Sequence, residues 1–336
     1  MPDSHVPQWS FPQDLVKTEL TVVACTNHYF GDDYIQPFEV PAEWGTSISC
    51  NFTNDLSLAG EADALWFHAP TTTRIPKQKK PGQPWIMMSM ESDGNYPLLK
   101  NQKFLDLFDI YMTYRLDSDI PTLYPNWKQY GDFMNPPLPT KVKGSHSALA
   151  AYIASNPVPH RDEYAQQLFE YIPVDSLGKC LNNKTVPDFI TGNHIWARGG
   201  FHSILDILPH YKFYLAFENS LTTDYVTERV FHALVAGSVP IYYGADNVKE
   251  FLPADNAAIN IADFDSPKEL AEYLLYLDQN DEAYEQHLAW KTQGYSESFK
   301  RLLDISDIEP RYRMAVKLAH NCSRDCNCGG RIRIKN

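Results

Sequence analysis

Short runs of apolar residues alternate with helical or irregular segments along most of this chain. Buried strands are predicted at 20–26, 62–70 and 83–92, where the apolar residues are nearly continuous and end in polar or turn residues. A short helix followed by a strand is predicted over 103–115. Strands separated by helical segments favour a parallel sheet, so the first third of the chain is predicted to form an α/β domain.

The same pattern begins again after a proline- and glycine-rich stretch at 131–146, which we predict to be a linker. Downstream, strands are predicted at 147–156, 211–219, 239–244 and 257–264, and helices at 161–172, 225–236 and 266–291. Ser266 is expected to cap the last of these helices, with Pro267 at its first position. We therefore predict an N-terminal domain over 1–140, a C-terminal domain over 141–310 and a cysteine-containing tail over 311–336.

Composition narrows the class of protein. The 336 residues are 43% hydrophobic and 13% aromatic, which suits a packed core, and the formal net charge of −13 argues against nucleic acid as a partner. No segment approaches the roughly 18 continuous apolar residues of a membrane span, and the first residues do not form a signal peptide. Six cysteines and glycosylation sequons at Asn51, Asn183 and Asn321 favour a lumenal domain; the alternative is a cytosolic protein with six buried thiols.

Polar residues that follow the predicted strands point to a ligand site in the C-terminal half. In doubly wound sheets, ligands bind beyond the carboxyl ends of the strands, where Glu218 ends one strand and Arg161 opens a helix after another. Helix N-termini and arginines bind phosphates. We predict half of a diphosphate cradle with Arg161 and Arg229 as cations and with Glu228 accepting from sugar hydroxyls. The alternative is that Glu228 and Arg229 form a surface pair that only complements its helix.

The segment "YKFYLAFENSLTTDYVTERVFHALVAGSVPIYYGADNVKEFLP" (211–253) resembles the signature of the α1,3-fucosyltransferases that use GDP-fucose. The resemblance extends to "MTYRLDSDIPTLYPNW" (112–127) and "YIASNPVPHRDEY" (152–164), and it covers roughly residues 85–300. It implies the GT-B arrangement, in which two Rossmann-like domains face each other across a cleft. It further implies inversion at the anomeric carbon, GDP-fucose in the C-terminal half, and no cofactor or active-site metal.

The resemblance assigns donor-binding positions residue by residue. Arg161 in "SNPVPHR" matches the arginine that contacts the diphosphate, and Asn219 in "FEN" matches a nucleotide-site asparagine. Tyr225, Glu228 and Arg229 match the family's "Y-[VI]-T-E-K" segment. The family usually has lysine where this chain has Arg229, and arginine binds as a planar fork rather than as a point charge.

The acceptor half is expected to supply a general base. Glu91 in "MMSMESDGN" falls where the family has its "E-S-P" glutamate, with Asp93 in place of the proline. The acceptor oxygen must lose a proton as it attacks C1 of fucose, and a positioned carboxylate can take it. The segment "AWKTQGYSESFK" (289–300) resembles the branch that fucosylates the innermost GlcNAc of N-glycans, with Lewis-type modification of outer N-acetyllactosamine as the alternative.

Other functions suggested by individual motifs are kept open. Asp117 and Asp119 form a D-x-D pattern that binds Mn²⁺ in other glycosyltransferases, and a glycan-binding module without catalysis is a second class. Cys180 and the cysteines of "CSRDCNC" (322–328) could hold zinc, although disulfides are favoured and their pairing is open. We expect a glycan or glycoprotein acceptor, and the Golgi lumen as the compartment, with the chain being the catalytic part of a type II membrane protein.

Overall fold

The computed structural model describes residues 6, 7, 9, 15–31, 33–42, 47–125, 132–144, 148–185 and 201–320. The chain forms two compact units. What we call the N-terminal unit contains Val6–Leu123 together with the chain from Asp304 onward, and the C-terminal unit contains Tyr124–Leu303. The division therefore falls between residues 123 and 124, whereas the sequence analysis placed the boundary after residue 140.

Eleven strands are described, and they form two sheets. Their bounds are β1 Glu19–Ala24, β2 Phe38–Glu39, β3 Ser49–Thr53, β4 Ala64–His68, β5 Trp85–Ser89, β6 Ile110–Thr113, β7 Ala150–Tyr152, β8 Val174–Ser176, β9 Phe213–Phe217, β10 Val239–Tyr243 and β11 Ile259–Asn260. The N-terminal sheet has the order β2-β3-β1-β4-β5-β6 and the C-terminal sheet the order β11-β10-β9-β7-β8. All pairs are parallel except β2 with β3.

The predicted α/β class with two Rossmann-like sheets is confirmed by this topology. Apart from the short edge strand β2, the two sheets share one order: the second strand, the first, then the third, fourth and fifth. This is a doubly wound order in which the chain changes direction between the first and third strands. That switch point lies between β1 and β4 in the N-terminal sheet and between β7 and β9 in the C-terminal sheet.

Nine α-helices lie within the described residues. Their bounds are α1 Gln102–Leu105, α2 Pro159–Phe169, α3 Phe201–Ile207, α4 Glu228–Ala236, α5 Pro267–Gln279, α6 Asp281–Gln286, α7 Trp290–Gln293, α8 Glu297–Asp307 and α9 Pro310–Ala319. The helix predicted over 266–291 is thus three helices, because Asn280 leaves the helical conformation and its side chain caps α6. Its predicted start is correct: Ser266 accepts from the N–H of Glu269, and Pro267 is the first helical residue.

Helix α9 includes residues 311–319, which the sequence analysis assigned to a tail, and it belongs to the core of the N-terminal unit. Met314 and Ala315 are fully buried in the same apolar cluster as residues of β1 and β4. The buried Arg313 donates from Nη1 to the carbonyl of Pro121. Backbone bonds also join Val16 and Lys17 to the carbonyl of Ala319. The apolar face of α9 is the reason that the chain returns to this unit after leaving it.

Two buried lysines tie the segment before β7 to the C-terminal unit. Lys291 is 4% exposed and donates to the carbonyls of Phe133 at 2.7 Å and Asn135 at 3.2 Å. Lys143, also 4% exposed, donates to the carbonyl of Gly237, and burial lowers its pKa to about 7. The described part of the predicted linker is therefore packed against this unit rather than loosely tethered.

The cysteines and the membrane question can be addressed only for the described residues. Cys25, Cys50 and Cys180 are free thiols in the part of the chain that the structure describes. The predicted pairing or zinc binding of the cysteines at 322, 326 and 328 lies outside the described residues. No helix in the described ranges is both long and apolar enough to cross a membrane.

Candidate active site

The carboxyl ends of β7 and β9 carry the polar residues of the C-terminal unit's switch point. Pro159 begins helix α2 after β7, and Glu218 and Asn219 follow β9 directly. The next strand in the sheet, β10, pairs with β9, and the backbone N–H of Glu218 donates to the carbonyl of Tyr243 at 2.7 Å. Doubly wound sheets bind ligands at this location, so the predicted site residues do converge on one edge of the sheet.

Helix α4 begins at Glu228, three residues later than predicted. Asp224, one residue before the predicted start, adopts a left-handed conformation with φ of 67°, outside the helical region. The amide of Asn247 fixes it there, donating to Asp224 Oδ1 at 2.8 Å and accepting from its backbone N–H at 2.9 Å. Thr227 is then extended and serves as the N-cap residue. The delay places Glu228 and Arg229 in the first turn of α4, at its positive end.

A buried carboxylate organises this helix start. Glu218 is 0% exposed, and its Oε1 accepts from the backbone N–H of Thr227 at 2.7 Å. Its Oε2 accepts from the Thr227 hydroxyl at 2.7 Å and from Nη1 of Arg229 at 3.1 Å. The same Nη1 donates to Oγ1 of Thr227 at 2.8 Å. Glu218, Thr227 and Arg229 therefore form a closed network, which we call the Glu218 network.

Burial and charge act in opposite directions within the Glu218 network. Burial raises the pKa of the Glu218 carboxyl to about 7, and the positive charge of Arg229 opposes that rise. Burial disfavours the charge on Arg229, but Glu228 and Glu218 outweigh it and raise the pKa of the guanidinium. Glu228 lies nearby, with Oε1 at 3.7 Å from Nη1 of Arg229. Arg229 therefore stays cationic while only 20% of its side chain is exposed.

Arg161, the other predicted phosphate contact, is almost enclosed by protein. Its side chain is 2% exposed, and Nη2 donates to the carbonyl of Asn156 at 2.5 Å. Its Nε lies 3.3 Å from Oδ1 of Asp162. Asp162 in turn accepts from the hydroxyl of Tyr152 at 2.5 Å and from the N–H of Val158. A diphosphate can reach Arg161 only if the residues that cover it move.

The remaining predicted donor residues differ in accessibility. Asn219 is half-buried, and its Oδ1 is enclosed without a hydrogen-bond partner among the described residues. Glu228 has 34% of its side chain exposed, which suits contact with sugar hydroxyls. Tyr225 is 2% exposed, and its ring lies 6.2 Å from that of Tyr124. Glu228 can therefore meet a ligand directly, whereas Tyr225 packs inside the unit and Asn219 is only partly accessible.

Two residues of α2 join the switch point without having been predicted. His160 packs edge-on against Tyr243, with ring centroids 5.5 Å apart, and Tyr164 lies 5.7 Å from the same ring. His160 Nε2 and the Tyr164 hydroxyl are enclosed and lack hydrogen-bond partners within the described ranges. Buried polar atoms are normally paired. The position of His160 after β7, in the first turn of a helix, was the signal in the sequence that could have identified it, and Tyr164 lies one turn further along the same helix.

Glu91 lies in the N-terminal unit, in a tight turn after β5. The Ser89 hydroxyl donates to the carbonyl of Glu91 at 2.9 Å, and the N–H of Tyr96 bonds to the carbonyl of Ser92 at 3.0 Å. The carboxylate is half-buried, and Asn95 donates to its Oε2 at 3.3 Å. Asn95 and the backbone of this turn fix the orientation of Glu91 while leaving part of it accessible.

An aromatic pair beside Glu91 was not predicted. Tyr96 is near enough for the charge of Glu91 to raise the pKa of its phenol, although burial is the larger cause and a hydrogen bond with Tyr29 adds to it. Tyr29 is 64% exposed, and its ring packs edge-on against His68 at 5.0 Å. Tyr29 follows β1 and His68 ends β4, so this aromatic pair adjoins the switch point of the N-terminal sheet.

The exposed ring of Tyr29 packs on His68, which hydrogen bonds hold in place. His68 is 1% exposed, its N–H bonds to Thr26 Oγ1 at 2.7 Å, and its Nδ1 lies 2.9 Å from Thr71 Oγ1. Burial and, to a smaller extent, the nearby His28 lower the pKa of His68 to about 4. A neutral, packed His68 therefore gives Tyr29 a fixed platform.

The D-x-D carboxylates are both engaged by protein cations. Arg115 holds Asp117 with two bonds, Nε to Oδ1 at 2.8 Å and Nη2 to Oδ2 at 3.0 Å. Asp119 Oδ1 pairs with Lys317 at 3.1 Å, and its Oδ2 accepts from the N–H of Tyr111. Within the described ranges, no group of three or more histidine, cysteine or acidic side chains comes together as a metal site.

Two doubly wound sheets in one chain, one with an arginine at its switch point, are the architecture of GT-B glycosyltransferases. The structure is similar to an α1,3-fucosyltransferase crystallised with GDP, with a TM-score of 0.57 and 19% identity over 96% of this chain and 98% of that one. The same comparison with an α1,3-fucosyltransferase bound to GDP-fucose gives 0.56 and 17%, over 94% and 96%. The GT-B fold is therefore shown.

The chain belongs to glycosyltransferase family 10, the fucosyltransferases. The C-terminal sequence profile of that family matches residues 143–323, and the fucosyltransferase N-terminal profile matches 18–125. Among curated relatives, GDP-fucose protein O-fucosyltransferase 3 of Gallus gallus is 34% identical over 250 residues, which is 72% of this chain and 50% of the relative. The Xenopus laevis protein of the same name is 35% identical over 227 residues, 66% of this chain and 48% of its own. This chain spans about half the length of these relatives.

Proposed function

We propose that this protein transfers L-fucose from GDP-fucose to a hydroxyl group of a protein-borne acceptor. The observation that carries the proposal is the Glu218 network at the β7/β9 switch point. It sets a cationic, partly exposed Arg229 in the first turn of a helix, where a diphosphate finds both charge and N–H donors. A glycan-binding module has no use for such a site, so the network favours the enzyme over that alternative.

The acceptor is the serine or threonine hydroxyl of a protein. Relatives at 34–35% identity are named protein O-fucosyltransferases, which supports this choice over the GlcNAc hydroxyl expected from the sequence. The second candidate is the α1,3 position of a GlcNAc, either at the N-glycan core or on outer N-acetyllactosamine. Its support is the resemblance of residues 289–300 to the core-modifying branch.

Glu91 acts as the general base in this proposal. The acceptor oxygen attacks C1 of fucose from the face opposite GDP, its proton passes to the Glu91 carboxylate, and the C1–O bond to the diphosphate breaks, which inverts the anomeric centre. Negative charge then develops on the departing GDP. Arg229 and the start of α4 stabilise that charge, which is the role of preorganised donors in such reactions.

The reaction needs no metal ion in this proposal. The support is that arginine and a helix start already face the diphosphate, while Asp117 and Asp119 are engaged by Arg115 and Lys317. We assign the enzyme to the Golgi lumen, on the family resemblance and on the sequons at Asn51 and Asn183.

One assay tests the function and the choice of acceptor. The purified chain is incubated with GDP-[¹⁴C]fucose and three acceptors: a folded secreted protein domain bearing serine and threonine, a core N-glycopeptide, and N-acetyllactosamine. Fucose found by mass spectrometry on a side-chain hydroxyl supports protein O-fucosylation, and an α1,3 product on either glycan replaces it with the second candidate. Failure to bind GDP in calorimetry would overturn the proposed function as a whole.

A further inference from the structure

The first observation is that the N-cap residue of α4 does not cap its own helix. Threonine at this position normally accepts from the N–H of the second or third helical residue. Here the Thr227 hydroxyl donates to Glu218 Oε2 at 2.7 Å instead, and its side chain makes no capping bond. The N–H groups of the first turn are therefore left to another acceptor.

The second observation concerns the two edges of Arg229. Nη1 is bound on the inner side, to Glu218 at 3.1 Å and to Thr227 at 2.8 Å. Nε and Nη2 donate to no group within the described ranges, while 20% of the side chain is exposed. A guanidinium can bind with both edges at once because it is a planar fork, whereas a lysine ends in a single nitrogen. One edge of Arg229 is thus an anchor, and the other is available to a ligand.

The third observation is that Glu218 has no freedom to adopt another arrangement. It is fully buried, and a Cβ added at Gly244 would lie 2.7 Å from its Cγ. Both of its oxygens accept hydrogen bonds from the α4 start. Glu218 also balances the charge of Arg229. What the helix start provides for a diphosphate is therefore a set of directed N–H donors more than a net positive charge.

We propose that Glu218 is a positioning residue for the donor: it holds Thr227 away from the helix start and fixes one edge of Arg229, so that the other edge and the first turn of α4 bind the diphosphate of the nucleotide sugar. Glu218 touches neither the donor nor the acceptor and acts only through these two residues. The inference rests on the proposed function, because it takes GDP-fucose as the ligand.

The test compares GDP with guanosine, which lacks the phosphates, in calorimetry on the purified chain. Glu218→Gln keeps the shape of the side chain but replaces an accepting oxygen with a donor and removes the charge. GDP binding should weaken about tenfold or more, the size of one lost charge-assisted hydrogen bond, while guanosine binding stays within twofold. Equal weakening of both ligands would mean that Glu218 only supports the fold, and it would overturn the inference.

A double-mutant cycle separates action through Arg229 from any direct effect. Glu218→Gln introduced into an Arg229→Ala background should change GDP affinity clearly less than it does in the wild-type background, because only its action through Thr227 remains. A full tenfold effect in that background would contradict the proposal. Asp175→Asn is the matched control: it removes a buried carboxylate from β8 of the same sheet, one that accepts from the Tyr211 hydroxyl at 3.0 Å. It should leave the ratio of GDP to guanosine affinity unchanged.

Thr227 provides a second route if Glu218→Gln does not fold. Thr227→Val removes the hydroxyl that Glu218 holds and should lower GDP affinity selectively, whereas Thr227→Ser keeps the hydroxyl and should restore it. Identical GDP affinity in the two variants would refute the inference. If the wild-type chain binds no GDP, the proposed function is refuted as well. If the wild-type chain binds GDP and the variants bind it equally well, only this inference is refuted.

Discussion

Replacing Glu91 by glutamine tests the proposed division of labour most directly. The substitution keeps the size of the side chain and its ability to accept from Asn95, whose amide lies 3.3 Å from Oε2. The turn itself should persist, because Ser89 and Ser92 hold it through their hydroxyl and backbone bonds to Glu91, Asn95 and Tyr96. What the variant loses is the group that accepts the proton of the acceptor hydroxyl.

The size of the effect follows from that single loss. General base catalysis contributes about 10²–10⁴-fold, so kcat should fall at least about 10²-fold, equivalent to roughly 2.7 kcal/mol in the activation free energy. The affinity for GDP should change by less than twofold, because the donor residues belong to the C-terminal unit. Thermal stability should be nearly unchanged, since glutamine keeps the shape of a side chain that is only half-buried.

The assay measures initial rates of fucose transfer over a range of acceptor concentrations, with GDP binding followed by calorimetry. Asp93→Asn is the matched control, because it removes a neighbouring carboxylate from the same turn. A kcat within threefold of wild type for Glu91→Gln, together with a large loss for Asp93→Asn, would assign the base to Asp93. Loss of GDP affinity in Glu91→Gln would show that Glu91 contributes to the donor site instead.

Four further outcomes are expected. Tyr29→Ala should raise the acceptor KM with little change in GDP affinity, whereas Tyr171→Ala, at a tyrosine 45% exposed on the other unit, should change neither. Transfer should persist in EDTA, and complete loss restored only by Mn²⁺ would favour a metal site. Met314→Ala should lower the free energy of unfolding by about 2–5 kcal/mol in urea titrations, as for other buried methionines; an effect below about 1 kcal/mol would refute the packing of α9. Burial lowers the pKa of His68 to about 4, so the folded state favours the neutral ring and the contribution of His68 to stability is complete above about pH 6.5. This contribution is lost as pH falls toward 4, by up to about 3 kcal/mol. His68→Gln should reduce that loss, and an unchanged dependence of the unfolding free energy on pH would contradict the prediction.

The sequence predicted the site's location better than its contacts. Continuous apolar runs identified most strands of both sheets, and the rule that ligands bind beyond strand ends then placed Glu218 and Arg161 at one edge. That placement needs only strand order and direction, which periodicity conveys. Strands β2, β3 and β8 were not predicted. Two or three residues, as in β2 and β8, show too little periodicity, and β3 alternates buried with polar residues instead of forming a continuous apolar run.

The contacts depended on pairings between residues far apart in the chain. Asn247 holds Asp224 in a left-handed conformation, and Glu218 binds the extended Thr227, so α4 begins three residues later than local propensity favoured. Arg161 was predicted as a phosphate contact, yet the carbonyl of Asn156 and the carboxylate of Asp162 surround it. The role of residues 310–319 was likewise set by a core that forms some 300 residues earlier in the chain, and no local pattern conveys that.

The two units share one topology, but the glutamates that follow their strands lie in different surroundings. Both sheets have the same doubly wound order, and in each a glutamate lies just beyond a central strand, Glu218 after β9 and Glu91 after β5. Glu218 is fully buried and accepts three hydrogen bonds from the start of α4, so it can order a helix but cannot take a proton from a substrate. Glu91 is half-buried, and the amide of Asn95 donates to its Oε2 at 3.3 Å, a contact that orients the carboxylate. The surrounding donors, more than the strand position, therefore distinguish the glutamate that we propose as a positioning residue from the one that we propose as the base.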